Sequence, residues 1–278
     1  MTLRAPAKLN LCLYLGRPRD DGLHELRSLF CPLTLSDRIV VRDAERDEVV
    51  CAEVEDPNIV EGALAGLRAR GWGHEPVRVE IEKRIPVAAG LGGGSADAAA
   101  VLRLAREEVG EVANLAAELG ADVPSQIDPA FALVGGAGEV VEPLPPPEHF
   151  GVVLVPHEAG LSTAQVYAEA DRLGLGRDAA ELDSIAAEVR RAAGRGHSPL
   201  AYRELLVNDL AEAALLLRPE IGGALQALRS AGAEVALVTG SGPTAFGIFE
   251  DIAAADAAAG RLAPRFAGAI VAGPDPEP

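Results

Sequence analysis

From Lys8 to Leu15 apolar and polar positions alternate strictly, with Leu9, Leu11, Leu13 and Leu15 on one side and Lys8, Asn10, Cys12 and Tyr14 on the other. A period of two belongs to a strand. Cys12 and Tyr14 on the second face suggest that it is partly covered, so that Lys8 and Asn10 point into a cleft. Arg17 to Gly22 reads as a turn, and a largely apolar stretch runs on to Leu35. Short strands are predicted at Ile39–Val41, Val49–Val50 and Val77–Ile81. Asp56-Pro57-Asn58 opens a helix over Ile59–Arg70, with Pro57 suited to a first turn.

Asp97 to Glu108, rich in Ala, Leu, Arg and Glu, predicts a helix, and Asn114 to Leu119 another that stops at Gly120. Asp122 then stands where it could cap the next turn. Phe131–Val134 and Glu139–Val141 form a strand pair across a glycine turn. Four prolines between Pro143 and Pro147 mark a linker, and a new apolar strand, Val152–Val155, follows. Helices are expected after Ser162-Thr163, over Asp178–Gly196, from Asn208 and over Pro219–Ala231. The hairpin Glu234–Val238 and Ala245–Phe249 closes around Thr239 to Thr244, before a helix at Ile252–Leu262 and a strand at Ala267–Val271. The order points to an α+β protein of two domains, 1–147 and 148–278.

Aromatic residues are only 4% of the chain, so its core must be built from Ala, Val and Leu. A net charge of −17 argues against nucleic acid or an anionic membrane surface as partner. No apolar run is long enough to span a bilayer, and Arg4, Lys8 and Asn10 interrupt any secretory leader. Cys12, Cys31 and Cys51 lie far apart without metal-ligand spacing, as expected of free thiols in a reducing cytoplasm.

The densest candidate chemistry is Pro86-Val87-Ala88-Ala89-Gly90-Leu91-Gly92-Gly93-Gly94-Ser95-Ala96, placed where a strand gives way to a helix. Glycines allow close approach of backbone to ligand, and a helix start offers unpaired amides and a positive dipole end, which suits phosphate. No Lys-Ser or Lys-Thr follows, so this is not a Walker A loop. The acids farther on, Glu111 and Glu118, lie in or beside helical sequence, unlike those of a dinucleotide fold. An acidic chain must supply local positive charge to a polyanion. Among 25 basic residues only Lys8 and Lys83 are lysine, and Lys83 stands just before the glycine loop.

Three stretches together, Lys8-Leu9-Asn10, Pro86 to Ala96 and Gly240-Ser241-Gly242, resemble the three motifs of the GHMP small-molecule kinases. Asp21-Gly22-Leu23-His24-Glu25-Leu26, Gly120-Ala121-Asp122-Val123-Pro124 and Asn208-Asp209-Leu210 are similar to the branch of that family acting on a cytidyl-diphosphate-linked methylerythritol in isoprenoid precursor synthesis. The resemblance implies an N-terminal ribosomal-protein-S5-like nucleotide-binding domain and a C-terminal ferredoxin-like domain. It implies ATP and Mg²⁺ as cofactors, Asp122 as base and Lys8 as its electrostatic partner. ATP would contact Asn58, Lys83, Pro86, Gly90, Leu91, Gly92, Gly93, Gly94, Ser95 and Ala96, with Ser95 a possible Mg²⁺ contact. The acceptor would meet Asn10, His24, Thr163, Gly240, Ser241 and Gly242, in a monomer or homodimer. Leu23 stands where the family commonly has an aromatic ring able to stack on cytosine. Other members, acting on homoserine, mevalonate or a sugar, and a nucleotide-binding regulator without chemistry, are the competing expectations.

Overall fold

The structure, a computed structural model, describes residues 1–54, 57–110, 112–157 and 159–278. Asp56 and Glu111 therefore lie outside the described residues. The N-terminal half contains β1 (Thr2–Pro18), β2 (His24–Asp43), β3 (Glu48–Val50), α1 (Ile59–Ala69), β4 (Val77–Glu82) and α2 (Gly93–Leu102), then α3 (Val112–Leu119), α4 (Val123–Ile127), β5 (Ala132–Gly135) and β6 (Val140–Pro143). The C-terminal half contains β7 (Gly151–Val155), α5 (Thr163–Leu173), α6 (Ala179–Ala193), α7 (Ala211–Leu217), α8 (Ile221–Ser230), β8 (Val235–Val238), β9 (Ala245–Phe249), α9 (Ile252–Leu262) and β10 (Ile270–Ala272).

The first sheet runs β3-β4-β2-β5-β6, with β1 paired to β2, and the second runs β10-β7-β9-β8. The architecture is α+β, with helices packed against both sheets. The apolar core is continuous between the halves, because Leu9, Leu11 and Leu29 belong to one cluster with Phe150, Leu154 and Phe246. β1 is the seam. One edge pairs with β2, while Leu13 accepts from Asp209 N–H and donates to the Val207 carbonyl, and the Leu15 carbonyl accepts from Arg177 N–H.

β1 departs from the alternation its sequence predicts. Register shifts fall between Pro6 and Lys8, between Asn10 and Cys12, and between Leu15 and Pro18. Leu9 and Leu11 consequently join Cys12 and Tyr14 in one cluster, while Leu13 and Leu15 pack in another. A bulge adds one residue and turns every later side chain to the opposite face. Lys8 and Asn10 do share a face, and Leu13 joins them at the same cleft.

The predicted Ile39–Val41 strand is the end of the long β2. The helix expected from Asp97 starts four residues earlier, at Gly93, and gives way after Leu102 to a tighter turn over Arg103–Ala105. Propensity places glycine outside a helix, but here glycines form the first turn, where bulk above the backbone would be an obstruction. α1 begins at Ile59 as expected, but Pro57 precedes the helix instead of lying in its first turn, because Asn58 is the cap, its Oδ1 accepting from Val60 N–H at 3.0 Å.

Candidate active site

The glycine loop turns on positions of positive φ, with Ala88 at 56°, Gly90 at 75° and Gly92 at 70°. Gly92 caps α2, so the amides of Gly93, Gly94 and Ser95 have no acceptor inside the helix and carry its positive dipole end. Two cavities meet across this loop. One, about 320 Å³, is walled by Asn58, Lys83, Pro86 and the loop from Gly90 to Ser95. The other, about 250 Å³, is walled by Lys8, Asn10, Asp122, Thr163, Tyr167, Gly240 and Ser241. Gly90, Gly92 and Ser95 line both.

In the second cavity Lys8 Nζ stands 3.1 Å from Asp122 Oδ2 and donates to Asn10 Oδ1 at 2.7 Å. The ammonium also lies 4.7 Å from the centre of the Phe30 ring. Asp122 is at the N-cap of α4 but makes no side-chain cap hydrogen bond, so its carboxylate is directed to Lys8 instead of the helix. Asn10 is fixed on both sides of its amide. Its Nδ2 donates to Ser28 Oγ at 2.8 Å, Thr239 Oγ1 donates to its Oδ1 at 3.4 Å, and its backbone N–H donates to Thr239 Oγ1 at 3.0 Å. Ser28, Phe30 and Thr239 escape a linear reading because strand register and a distant turn bring them to Asn10.

Lys83 lines the first cavity, yet its ammonium is held between two carboxylates rather than left for an incoming anion. It donates to Asp37 Oδ2 and, at 2.8 Å, to Asp97 Oδ2. Asp37 Oδ1 accepts from the backbone of Arg84 and of Ile85 at 2.6 and 2.8 Å. Burial pushes the Asp97 carboxyl up to about 7; Lys83 opposes that shift and the Asp37 charge adds to it. Burial pulls the Lys83 ammonium down, but the two carboxylates outweigh it and hold it above its usual range. The cluster ties β2, the segment entering the glycine loop and α2 together beneath the cavity.

The remaining sequence-derived positions divide. Pro86, Gly90, Leu91, Gly92, Gly93, Gly94 and Ser95 line the first cavity, whereas Ala96, on the buried side of α2, packs into the core and does not line it. Asn58 lines it too, with its side-chain oxygen engaged as the α1 cap. Thr163 Oγ1 lies 3.0 Å from Ser241 Oγ across the second cavity. Gly242 packs behind the loop, since a Cβ on Gly90 would come within 2.6 Å of its carbonyl oxygen. His24 is buried beside Tyr167, with ring centroids 5.0 Å apart and Nε2 2.8 Å from Asp171 Oδ1. Burial, with the Asp122 charge adding to it, pushes the Tyr167 phenol up to about 12. Asn208 positions the second glycine turn. Its Nδ2 donates to the Val238 and Gly240 carbonyls at 2.7 and 2.8 Å, and its Oδ1 accepts from Leu210 N–H at 2.9 Å. Tyr167 carries no local signal of its role, and Asn208, which heads the Asn208-Asp209-Leu210 motif, reads as a helix start without showing its hold on a turn 30 positions on.

Helix-start amides facing one cavity, with an ammonium–carboxylate pair in the next, suit phosphoryl transfer to an alcohol. Comparison with known proteins agrees. Residues 58–136 match the GHMP kinases N terminal domain and residues 181–267 the GHMP kinases C terminal domain, together more than half of the chain. The chain belongs to the GHMP kinase family and is a small-molecule kinase.

Among its relatives is 4-diphosphocytidyl-2-C-methyl-D-erythritol kinase of Salinispora arenicola, 37% identical over 94% of this chain and 87% of that one. The enzyme of that name from Thermobifida fusca is 41% identical over 88% of this chain and 85% of its own. A crystal structure of 4-(cytidine 5'-diphospho)-2C-methyl-D-erythritol kinase superposes with a TM-score of 0.80 at 33% identity, covering 98% of each chain. Homoserine kinase from Cytophaga hutchinsonii has a TM-score of 0.73 at 18% identity over 99% of this chain and 94% of that one, a likeness of fold.

Proposed function

We propose that this chain transfers the γ-phosphoryl group of ATP to the 2-hydroxyl of 4-diphosphocytidyl-2-C-methyl-D-erythritol. The carrying observation is the Lys8–Asp122 pair, 3.1 Å apart, in a cavity sharing Gly90, Gly92 and Ser95 with its neighbour. The near full-length likeness to relatives of that name supports the choice of acceptor. ATP occupies the first cavity, its phosphates against the amides of Gly93 to Ser95. The acceptor occupies the second. Asp122 takes the hydroxyl proton as oxygen attacks phosphorus, and the Lys8 ammonium balances charge on the group in transit. Asn10, held by Ser28 and Thr239, fixes the ammonium, so positioning and electrostatics carry the reaction.

Mg²⁺ fits as an ion brought with the nucleotide. Among the described residues no three acidic, His or Cys side chains are grouped to hold a metal, and Mg²⁺ commonly relies on substrate phosphates, water and one or two protein oxygens. The Ser95 hydroxyl, on the border of the cavities, would be such an oxygen. When bound, the ion would neutralise charge on the nucleotide phosphates. Residues 1–147 would serve chiefly the nucleotide and 148–278 complete the acceptor side.

The site is built from one chain, so a monomer or a homodimer would serve alike. No described helix is long and apolar enough to cross a membrane, and free Cys12, Cys31 and Cys51 suit a reducing cytoplasmic setting. The test is an acceptor panel monitored by ADP release. The cytidyl acceptor should exceed homoserine and mevalonate in kcat/KM by about 100-fold or more, a difference of about 2.7 kcal/mol or more. Preferential turnover of either rival acceptor would refute the assignment.

A further inference from the structure

Resting on that reading of the acceptor, we propose that Asp171 is a positioning residue that sets nucleobase preference through His24. Tyr167 and Asp171 are four residues apart on α5, and so share one helix face. Together they hold the His24 ring, Tyr167 beside it at 5.0 Å and Asp171 at its Nε2 edge at 2.8 Å. The ring is buried, while the side chain of Asp171 is 43% exposed. An ionised carboxylate only accepts hydrogen bonds, so the nitrogen facing it carries the proton. In a neutral imidazole the other nitrogen, Nδ1, is then an acceptor.

Among the described residues His24 Nδ1 has no hydrogen-bond partner, and Tyr167, against which the ring packs, lines the acceptor cavity. An unengaged acceptor on a clamped ring next to that cavity fits a base that presents an exocyclic amino group. Cytosine presents one at its 4-position, where uracil presents a carbonyl oxygen that would face the Nδ1 lone pair. Asp171 thus selects an amino-bearing pyrimidine without touching it. The neighbouring acid Glu169 is engaged by Arg172, and among the described residues His24 is the side chain hydrogen-bonded to Asp171.

The test uses the full chain, ATP and two acceptors that differ only in carrying a cytidyl or a uridyl diphosphate group. Asp171→Ala frees the ring to change tautomer. The KM for the cytidyl acceptor should rise about tenfold while KM for ATP and kcat stay within about twofold, and the cytidyl-over-uridyl preference should fall about tenfold. Asp171→Asn retains an oxygen that accepts from Nε2–H and should keep the preference within about threefold of the parent. Thermal melting of each variant registers any loss of fold. Should Asp171→Ala melt early, long-range ¹H–¹⁵N correlation of His24 in the unaltered chain decides, a protonated Nε2 supporting the proposal and a protonated Nδ1 overturning it. An unchanged acceptor KM and preference in Asp171→Ala, an equal rise in KM for ATP, or an equal loss in Asp171→Asn would also overturn it. Failure of the unaltered chain to phosphorylate the cytidyl acceptor would instead remove the functional reading on which it rests.

Discussion

Lys8 lies so close over Gly92 that the Cβ this glycine lacks would sit 2.8 Å from Lys8 Cγ and 3.1 Å from its Cε. The Lys8 N–H also donates to the Leu91 carbonyl at 2.9 Å, so the strand carrying the ammonium is bonded to the loop it faces. Gly92 combines this contact with a φ of 70°, a conformation costly for residues with a Cβ. Gly92→Ala should therefore displace the Lys8 stem. We expect kcat/KM to fall about tenfold or more, with less than about 2 kcal/mol lost from the fold. Parent-like kinetics would show that the loop tolerates the methyl and that the contact has no catalytic weight.

Asn208 joins the start of α7 to the end of β8 and the second glycine turn through three hydrogen bonds. Asn208→Ala leaves the Val238 and Gly240 carbonyls and the Leu210 amide unpartnered in a buried setting. The expected cost is about 1–3 kcal/mol in urea unfolding. A loss of less than about 0.5 kcal/mol would mean that water replaces these bonds.

The raised Asp97 carboxyl makes stability depend on pH. Its folded value of about 7 exceeds the ordinary carboxylate value, so between the two the folded chain holds a proton that the unfolded chain has released. Stability from this group is present at low pH and is lost as pH rises through that window. An amide at the same place can accept from Lys83 and donate toward Asp37 without titrating. The melting temperature of Asp97→Asn should accordingly gain on the parent between about pH 5 and pH 8. Parallel melting curves across that range would dissociate Asp97 from the effect.

Tyr167 offers its ring to the acceptor cavity, whereas Leu23 at the adjoining hairpin is 51% exposed. Removing the ring in Tyr167→Leu should raise the acceptor dissociation constant by about 1–3 kcal/mol, the usual worth of aromatic stacking on a base, while ATP affinity holds. Leu23→Tyr supplies a second ring and should tighten acceptor binding. Unchanged affinities in both variants would place the base away from this wall.

Much of the molecule is written in local sequence. The start of α1 at Ile59, the Val77 strand and the Ile252–Leu262 helix follow from residues that act on their immediate neighbours. The β1 bulge does not, because it depends on pairing with β2, and it moves Leu13 to the face of Lys8 and Asn10. Lys83 shows the same limit: its charge is evident from sequence, but Asp37, 46 positions away, changes what the charge can do. Asp122 also reads locally as a helix cap, and Lys8, brought to it from the distant β1, decides otherwise.

The central claim is that Asp122 receives the acceptor proton beside a nucleotide held independently by the glycine loop. The most direct measurement sets single-turnover phosphorylation by Asp122→Asn against ATP affinity of the same variant. The side chain is 35% exposed and the asparagine isosteric, so the fold should persist. Phosphoryl transfer should fall by about 10²–10⁴ while the ATP dissociation constant stays within about twofold. Transfer at a near-parent rate would contradict the account.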